Sequence, residues 1–135
     1  MDGQELLQQY ADGARSFPQV NLAKADLAGA DLQGVDLSQA NLPEANLSYA
    51  NLSYANLQQA NLARTNLTGA NLTSAKLWKA NLTEAQLGSA NLTNATLIEA
   101  NVNHAFLFEA ILSDADLSDA FLKGAVMPNG SDYTL

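Results

Sequence analysis

From Val20 onward the chain repeats every five residues without an insertion or deletion, and that period excludes most ways of folding it. Leu recurs at Leu22, Leu27, Leu32 and every fifth position to Leu122, so that 20 of 21 consecutive register positions are Leu and only Val102 departs. Two residues before each comes a small residue, as at Ala45, Ala70 and Ala95, the exceptions being Val20, Val35 and Thr65. Asn or Asp usually separates the two, and the remaining two places are variable and mostly polar. One apolar residue in five would wander around a helix. In a plain strand an odd period would flip faces at every unit.

The conflict disappears if each unit is a short extended piece followed by a corner. The small residue and the Leu then lie two apart and point to the same side. Four units turning through right angles close a square coil of 20 residues. The 22 repeats from Val20 to Asn129 make about five and a half coils, a rod ~26 Å long at ~4.8 Å per coil. The expected core is a stack of Leu22, Leu47, Leu72, Leu97, Leu122 and their equivalents, beside small groups such as Ala45, Ala70 and Ala95. Contacts run mainly between adjacent coils, as in a one-dimensional array.

Runs such as Ala45-Asn46-Leu47-Ser48-Tyr49-Ala50-Asn51-Leu52 resemble the pentapeptide-repeat family. The resemblance implies an all-β fold, a right-handed quadrilateral β-helix, with the handedness supplied by the family. The opening stretch, with Leu6-Leu7-Gln8-Gln9-Tyr10, Gly13, Arg15 and Phe17, resembles leaders of cyanobacterial members. Residues 2–12 read as an amphipathic helix with Asp2 as N-cap, Leu6, Leu7 and Tyr10 on one stripe, and Gly13 as stop signal. The expected organisation is a helical cap over 1–16, the β-helix over 17–127, and a turn and tail over 128–135. Phe17 should fill the first core layer. Met127 takes a Leu position, and Pro128-Asn129-Gly130 breaks the repeat. The tail either folds back through Tyr133 and Leu135 or stays loose.

Composition removes several functional classes. No Cys is present, which excludes disulfides, Cys-ligated zinc and thiol nucleophiles, and a single His leaves little for a triad or relay. A net charge of −8 has the wrong sign for gripping nucleic-acid phosphates. No apolar run approaches the ~20 residues of a membrane span, and no secretory leader is legible, so a cytoplasmic location is expected. An unbroken repeat builds no pocket for catalysis. Neither enzyme activity nor a cofactor is expected. Asp26, Asp31 and Asp36 lie on successive faces and diverge, so they should hold no metal.

Residues 20 apart should stack, which makes the exterior readable. Lys24, Glu44, Arg64, Glu84 and His104 form a corner column of alternating charge, read as a neutralising ladder with His104 beside Glu84. Lys76 and Lys79 flank Trp78, but Glu99 stands over Lys79, which argues against a nucleic-acid groove. Ser53, Thr73, Thr93 and Ser113 form a hydroxyl column of the kind that binds ice, though Asn51, Asn71 and Asn91 flank it in place of a second matched ladder. Near the C-terminus the Asn/Asp column turns apolar at Phe106, Ile111, Phe121 and Val126, with Phe108 in a variable place. With Trp78 and Ile98, these are the candidate interface residues.

The expected function is a non-catalytic protein–protein interaction or regulatory scaffold module, with an unidentified protein partner or a homodimer through the C-terminal coils. The resemblance implies an alternative, because some members are acidic rods that mimic DNA and occupy DNA gyrase. The net charge fits that alternative. The distribution does not, because acids gather in the first and last coils and leave the middle near neutral.

Overall fold

The computed structural model describes residues 1–133. One helix, α1 (Gly3–Ala11), precedes a square coil that runs through the remainder. Asp2 caps α1, its Oδ1 accepting from the Glu5 amide at 2.9 Å. The helix ends at Asp12, whose N–H donates to Gln8 O, and the chain leaves through the left-handed Gly13. Leu6 is fully buried, while Leu7 and Tyr10 are half-buried against the core. Helix and first coil approach so closely that a Cβ on Gly3 would meet Asp26 O and Leu27 Cδ2 at 3.4 Å.

Each coil bonds to the next by parallel bridges between residues 20 apart, from Ser16–Asp36 to Phe106–Val126. The unit around Leu52 shows the pattern. Leu52 N donates to Asn71 O, Asn71 N to Ala50 O and Tyr54 N to Thr73 O, at 2.7–2.9 Å. Ala55 N returns to Leu52 O at 3.1 Å and closes a turn whose second central residue, Tyr54, has φ 62°. Positive φ at that place is the signature of a type II turn. Between Gln19 and Gly124 every corner adopts it, with 18 non-glycine residues and glycine only at Gly29, Gly34, Gly69 and Gly124. Left-handed backbone costs an ordinary residue on the order of 1 kcal/mol. It persists because the bonds between coils and the buried Leu over-determine each corner.

Inside, Leu22, Leu47, Leu72, Leu97 and Leu122 are buried, as are Ala45, Ala70 and Ala95. The small column accepts Val35 whole. It accepts Thr65 because Oγ1 donates to Leu62 O at 2.8 Å, satisfying the only polar group in that layer. Phe17 plugs the first layer.

Four outer faces result. Face I carries Ser16, Asp36, Asn56, Lys76, Thr96 and Asp116; face II carries Asn21, Asn41, Asn61, Asn81, Asn101 and Phe121. Face III carries Asp26, Asn46, Asn66, Gln86, Phe106 and Val126, and face IV Asp31, Asn51, Asn71, Asn91 and Ile111. Faces II and IV are opposite. Asn and Asp earn their column by accepting, through Oδ1, the amide two residues on, as Asn71 does from Thr73 at 3.0 Å.

Beyond the last corner the tail folds back. Met127 N donates to Ser131 O and Tyr133 N to Ala125 O, and Val126 pairs antiparallel with Asp132. Tyr133 is half-buried against the core. Leu135, the other residue expected to fold back, lies outside the described residues. No helix among the described residues is long and apolar enough to cross a membrane.

Candidate interface

Phe106, Phe108, Ile111 and Phe121 are between 42% and 58% exposed at the C-terminal end of the rod. Phe106 and Phe108 meet as a tilted pair with centroids 6.2 Å apart. Below them the last coil is unfinished. Among the described residues, the backbone N–H groups of Leu112, Asp114, Leu117, Asp119, Leu122 and Gly124 have no backbone acceptor, because no further coil lies beneath. Leu112 and Leu117 are only half-buried there. Among the described residues the tail pairs only with the edge of face III. Between tail and coil lies a depression of about 480 Å³ lined by Asn103, Ala120, Phe121, Leu122, Lys123 and Tyr133.

Three residues read as interface from the sequence are less available. Trp78, Ile98 and Val126 are half-buried. Val126 is held between Phe106 of the coil above and Asp132 of the tail. The Lys79 ammonium covers the Trp78 ring at 4.7 Å and also pairs with Glu99 at 3.6 Å, so Lys79 is neutralised in place.

The charge column closes only in part. Arg64 reaches Glu44 at 3.6 Å. Among the described residues Lys24, Glu84 and His104 form no ion pair, and the His104 ring lies over Gly124, where a Cβ would strike it. Three of the four hydroxyls in the Ser/Thr column turn back to the chain, Ser113 being the exception. Ser53, Thr73 and Thr93 each donate to the Asn two residues earlier, at 2.6–2.7 Å. Asp116 accepts from Ser118 Oγ at 2.5 Å and from Ser118 N at 3.0 Å, and these bonds hold its carboxyl below the usual range. No group of three potential metal ligands occurs among the described residues.

Sequence reasoning passed over Tyr49 and Tyr54, the most exposed large hydrophobic side chains among the described residues, at 71% and 62%. Their signal was the register itself, since both occupy the left-handed corner place, which faces outward at every unit.

A family model described as pentapeptide repeats matches residues 21–53, 50–88 and 90–127, in eight copies. The chain belongs to the pentapeptide-repeat family. Its coil is therefore the right-handed quadrilateral β-helix. A pentapeptide repeat protein (Rfr23) from the cyanobacterium Cyanothece 51142 is similar, with TM-score 0.83 and 29% identity over 88% of this chain and 95% of that one. A pentapeptide repeat protein from the Arabidopsis thaliana thylakoid lumen shares 29% identity over 73% of this chain and 66% of its own, with TM-score 0.53. QnrB1, a plasmid-mediated fluoroquinolone resistance protein, shares the fold at TM-score 0.55 and 18% identity, over 84% of this chain and 63% of its own. No curated protein matches the chain.

Proposed function

We propose that this pentapeptide-repeat protein is a non-catalytic, cytoplasmic interaction or scaffold module whose C-terminal end is its protein-binding surface. The observation that carries this is the coincidence, at one end, of four exposed large apolar side chains with an open set of strand edges. Leaving such side chains in water forfeits ~1.5–3 kcal/mol for each that a partner would fully bury. Unpaired edges offer the backbone half of the same contact. A second copy meets both demands about a two-fold axis, the commonest oligomer symmetry. Light scattering at tens of micromolar should therefore report a dimer. Phe106→Asn with Phe121→Asn, the residue most common in that column, should give a folded monomer. A monomeric wild type that also captures no protein through these residues would reduce them to end packing.

The DNA-mimic reading agrees with the net charge of −8 and disagrees with where the charge lies. Carboxylates should then line the rod as phosphates line a duplex, whereas faces II and IV carry amides through the middle coils. Micromolar protein should leave gyrase supercoiling unchanged. A charge-dependent inhibition, relieved on neutralising Asp114, Asp116 and Asp119, would restore that reading.

A further inference from the structure

We infer that Asn129-Gly130 is a deamidation site, a spontaneous modification that unlatches the C-terminal tail from face III. The inference concerns the chemistry of the tail and stands whether or not the end takes a partner.

Asn is a thermolabile residue because the backbone nitrogen that follows it can attack its side-chain carbonyl carbon. That nitrogen must shed its proton and come close, so a bulky following residue or a firm bond on its N–H opposes the attack. Of the 14 Asn residues, ten are followed by Leu, Asn101 by Val102 and Asn103 by His104. At each of these the following amide donates to a carbonyl of the next coil at 2.7–2.8 Å, and the Leu and Val side chains are buried. Freeing such an amide means parting two coils. Asn94 precedes Ala95, which is buried and bonded back to Leu92 O at 3.0 Å.

Asn129 differs in its nucleophile. It is followed by Gly130, which has no Cβ to hinder approach, and both residues are exposed. Gly130 has φ 87°, and its N–H donates to Met127 O across a single turn at 2.8 Å. Opening that turn leaves the coils intact. The electrophile is also prepared, because Asn129 Oδ1 accepts from Ser131 N at 3.0 Å and from Ser131 Oγ at 2.6 Å. Two donors on one oxygen stabilise the negative charge that it gains during attack. Thr93 gives Asn91 the same pair of donors, at 3.1 and 2.6 Å, so it is the following residue that singles out Asn129.

The steps balance with water alone. The Gly130 amide gives its proton to solvent, its nitrogen bonds to Cγ, and Nδ2 leaves as ammonia, closing a succinimide ring. Water then adds to one of the two ring carbonyls. Cleavage of the Cγ–N bond gives aspartate, whereas cleavage of the backbone C–N bond gives isoaspartate, in which the main chain runs through Cβ and Cγ. The turn is bracketed by Met127 N to Ser131 O at 2.7 Å, the Val126–Asp132 pair and Tyr133 N to Ala125 O at 2.8 Å. Phe108 rests against it, so that a Cβ on Gly130 would meet Phe108 Cε2 at 3.4 Å. An extra main-chain atom inside so short a loop breaks its register, and the new carboxylate adds negative charge close in sequence to Asp132. The tail then parts from Val126 and frees the edge of face III.

The test is incubation of the full chain in mildly alkaline buffer, beside the same chain in denaturant. Peptide mass spectrometry should find NH2 replaced by OH at Asn129 and at no coil Asn, faster as pH rises. Isoaspartate methyltransferase should label the product. Asn129→Gln, whose longer side chain must close a larger ring, should slow conversion about tenfold or more. In the converted fraction, separated by its added charge, the Met127 and Tyr133 amides should exchange with deuterium about tenfold faster or more, while Leu52 and Leu72 stay protected. A folded chain that stays intact through the time in which the denatured chain converts would overturn the inference. So would conversion spread equally over the coil asparagines, or a converted tail with unchanged exchange at Met127 and Tyr133.

Discussion

At its N-terminal end the stack is closed by α1, which lays the fully buried Leu6 and the plug Phe17 over the first coil. Tyr10 Oη donates to the edge carbonyl of Gln33 at 2.7 Å, and Arg15 clasps the cap, donating to Tyr10 O and Ala14 O with its guanidinium 3.7 Å from the Tyr10 ring. At the C-terminal end the described part of the tail pairs with one face of four, and Leu112, Leu117 and Met127 are half-buried. Both ends began with the same difficulty, a slice of Leu core bordered by unpaired strands. One solved it inside the chain, while the other still displays its aromatic groups. The contrast teaches that an end cap in a solenoid is a choice about association as much as about stability.

The change with the largest expected effect cuts the coil that both ends depend on. Ala70→Arg should abolish cooperative thermal unfolding followed by circular dichroism, because the fully buried position can neither solvate nor pair the charge. Gln58→Arg, on the outer wall, should stay within about 0.5 kcal/mol of wild type. Equal loss in both would mean that the small column does not face inward.

Removing residues 1–14 would make the ends alike. With α1 gone, the first coil offers the edge that the last coil can match, a head-to-tail contact that does not close. Sedimentation should then show species larger than a dimer, growing with concentration. If the truncated chain stays discrete and folded, the helix is not what keeps the ends apart.

A milder comparison substitutes one Leu at each end. Leu6→Ala should cost ~2–5 kcal/mol, the range for a fully buried Leu, measured by denaturant titration. Leu112→Ala, half-buried, should cost roughly half as much or less in the monomer. Parity between them would show the C-terminal layer to be as dry as the first.

The smallest effect is in pH. Hydrogen bonds from Ser118 lower the Asp116 pKa in the folded chain, so their contribution is present above the unfolded value of ~3.9 and disappears as pH falls through the folded value. Acid should thus loosen the last coil below about pH 4, with Ser118→Ala removing that part of the response. NMR titration of the Asp116 carboxyl, showing no lowering in wild type, would refute it.

The square coil, its inward Leu and Ala columns and the capping helix were legible because each follows from period and side-chain size alone. Asp2, Leu6 and Phe17 carried their roles in plain sight. What the sequence hid was the direction of side chains that have a choice. Thr73 and Thr93 sit in an outward register place, yet their hydroxyls turn back to their own Asn. His104 stands in a charge column and yet lies on Gly124. Val126 belongs to the apolar outer series and is covered by the tail, whose antiparallel return no five-residue rule predicts. Tyr49 and Tyr54 were hidden for the opposite reason, since they keep the repeat so faithfully that nothing marks them out.

The constant spacing of the bridges also sets how the chain can acquire its fold. From Ser16 to Val126 every parallel bridge joins residues 20 apart, so each coil closes a loop of the same length at the same entropic cost. Relative contact order is accordingly low for a β protein, and a nucleus of two coils can form anywhere in the uniform middle and extend either way. During synthesis the order is no longer free, because α1 and the first two coils leave the ribosome with the cap already attached. Each later coil then closes on a finished template as soon as its last residues emerge. The coil bearing Ile111 and Phe121 is the last to close, so aromatic surface and open edges appear together, on a rod whose other end is already sealed.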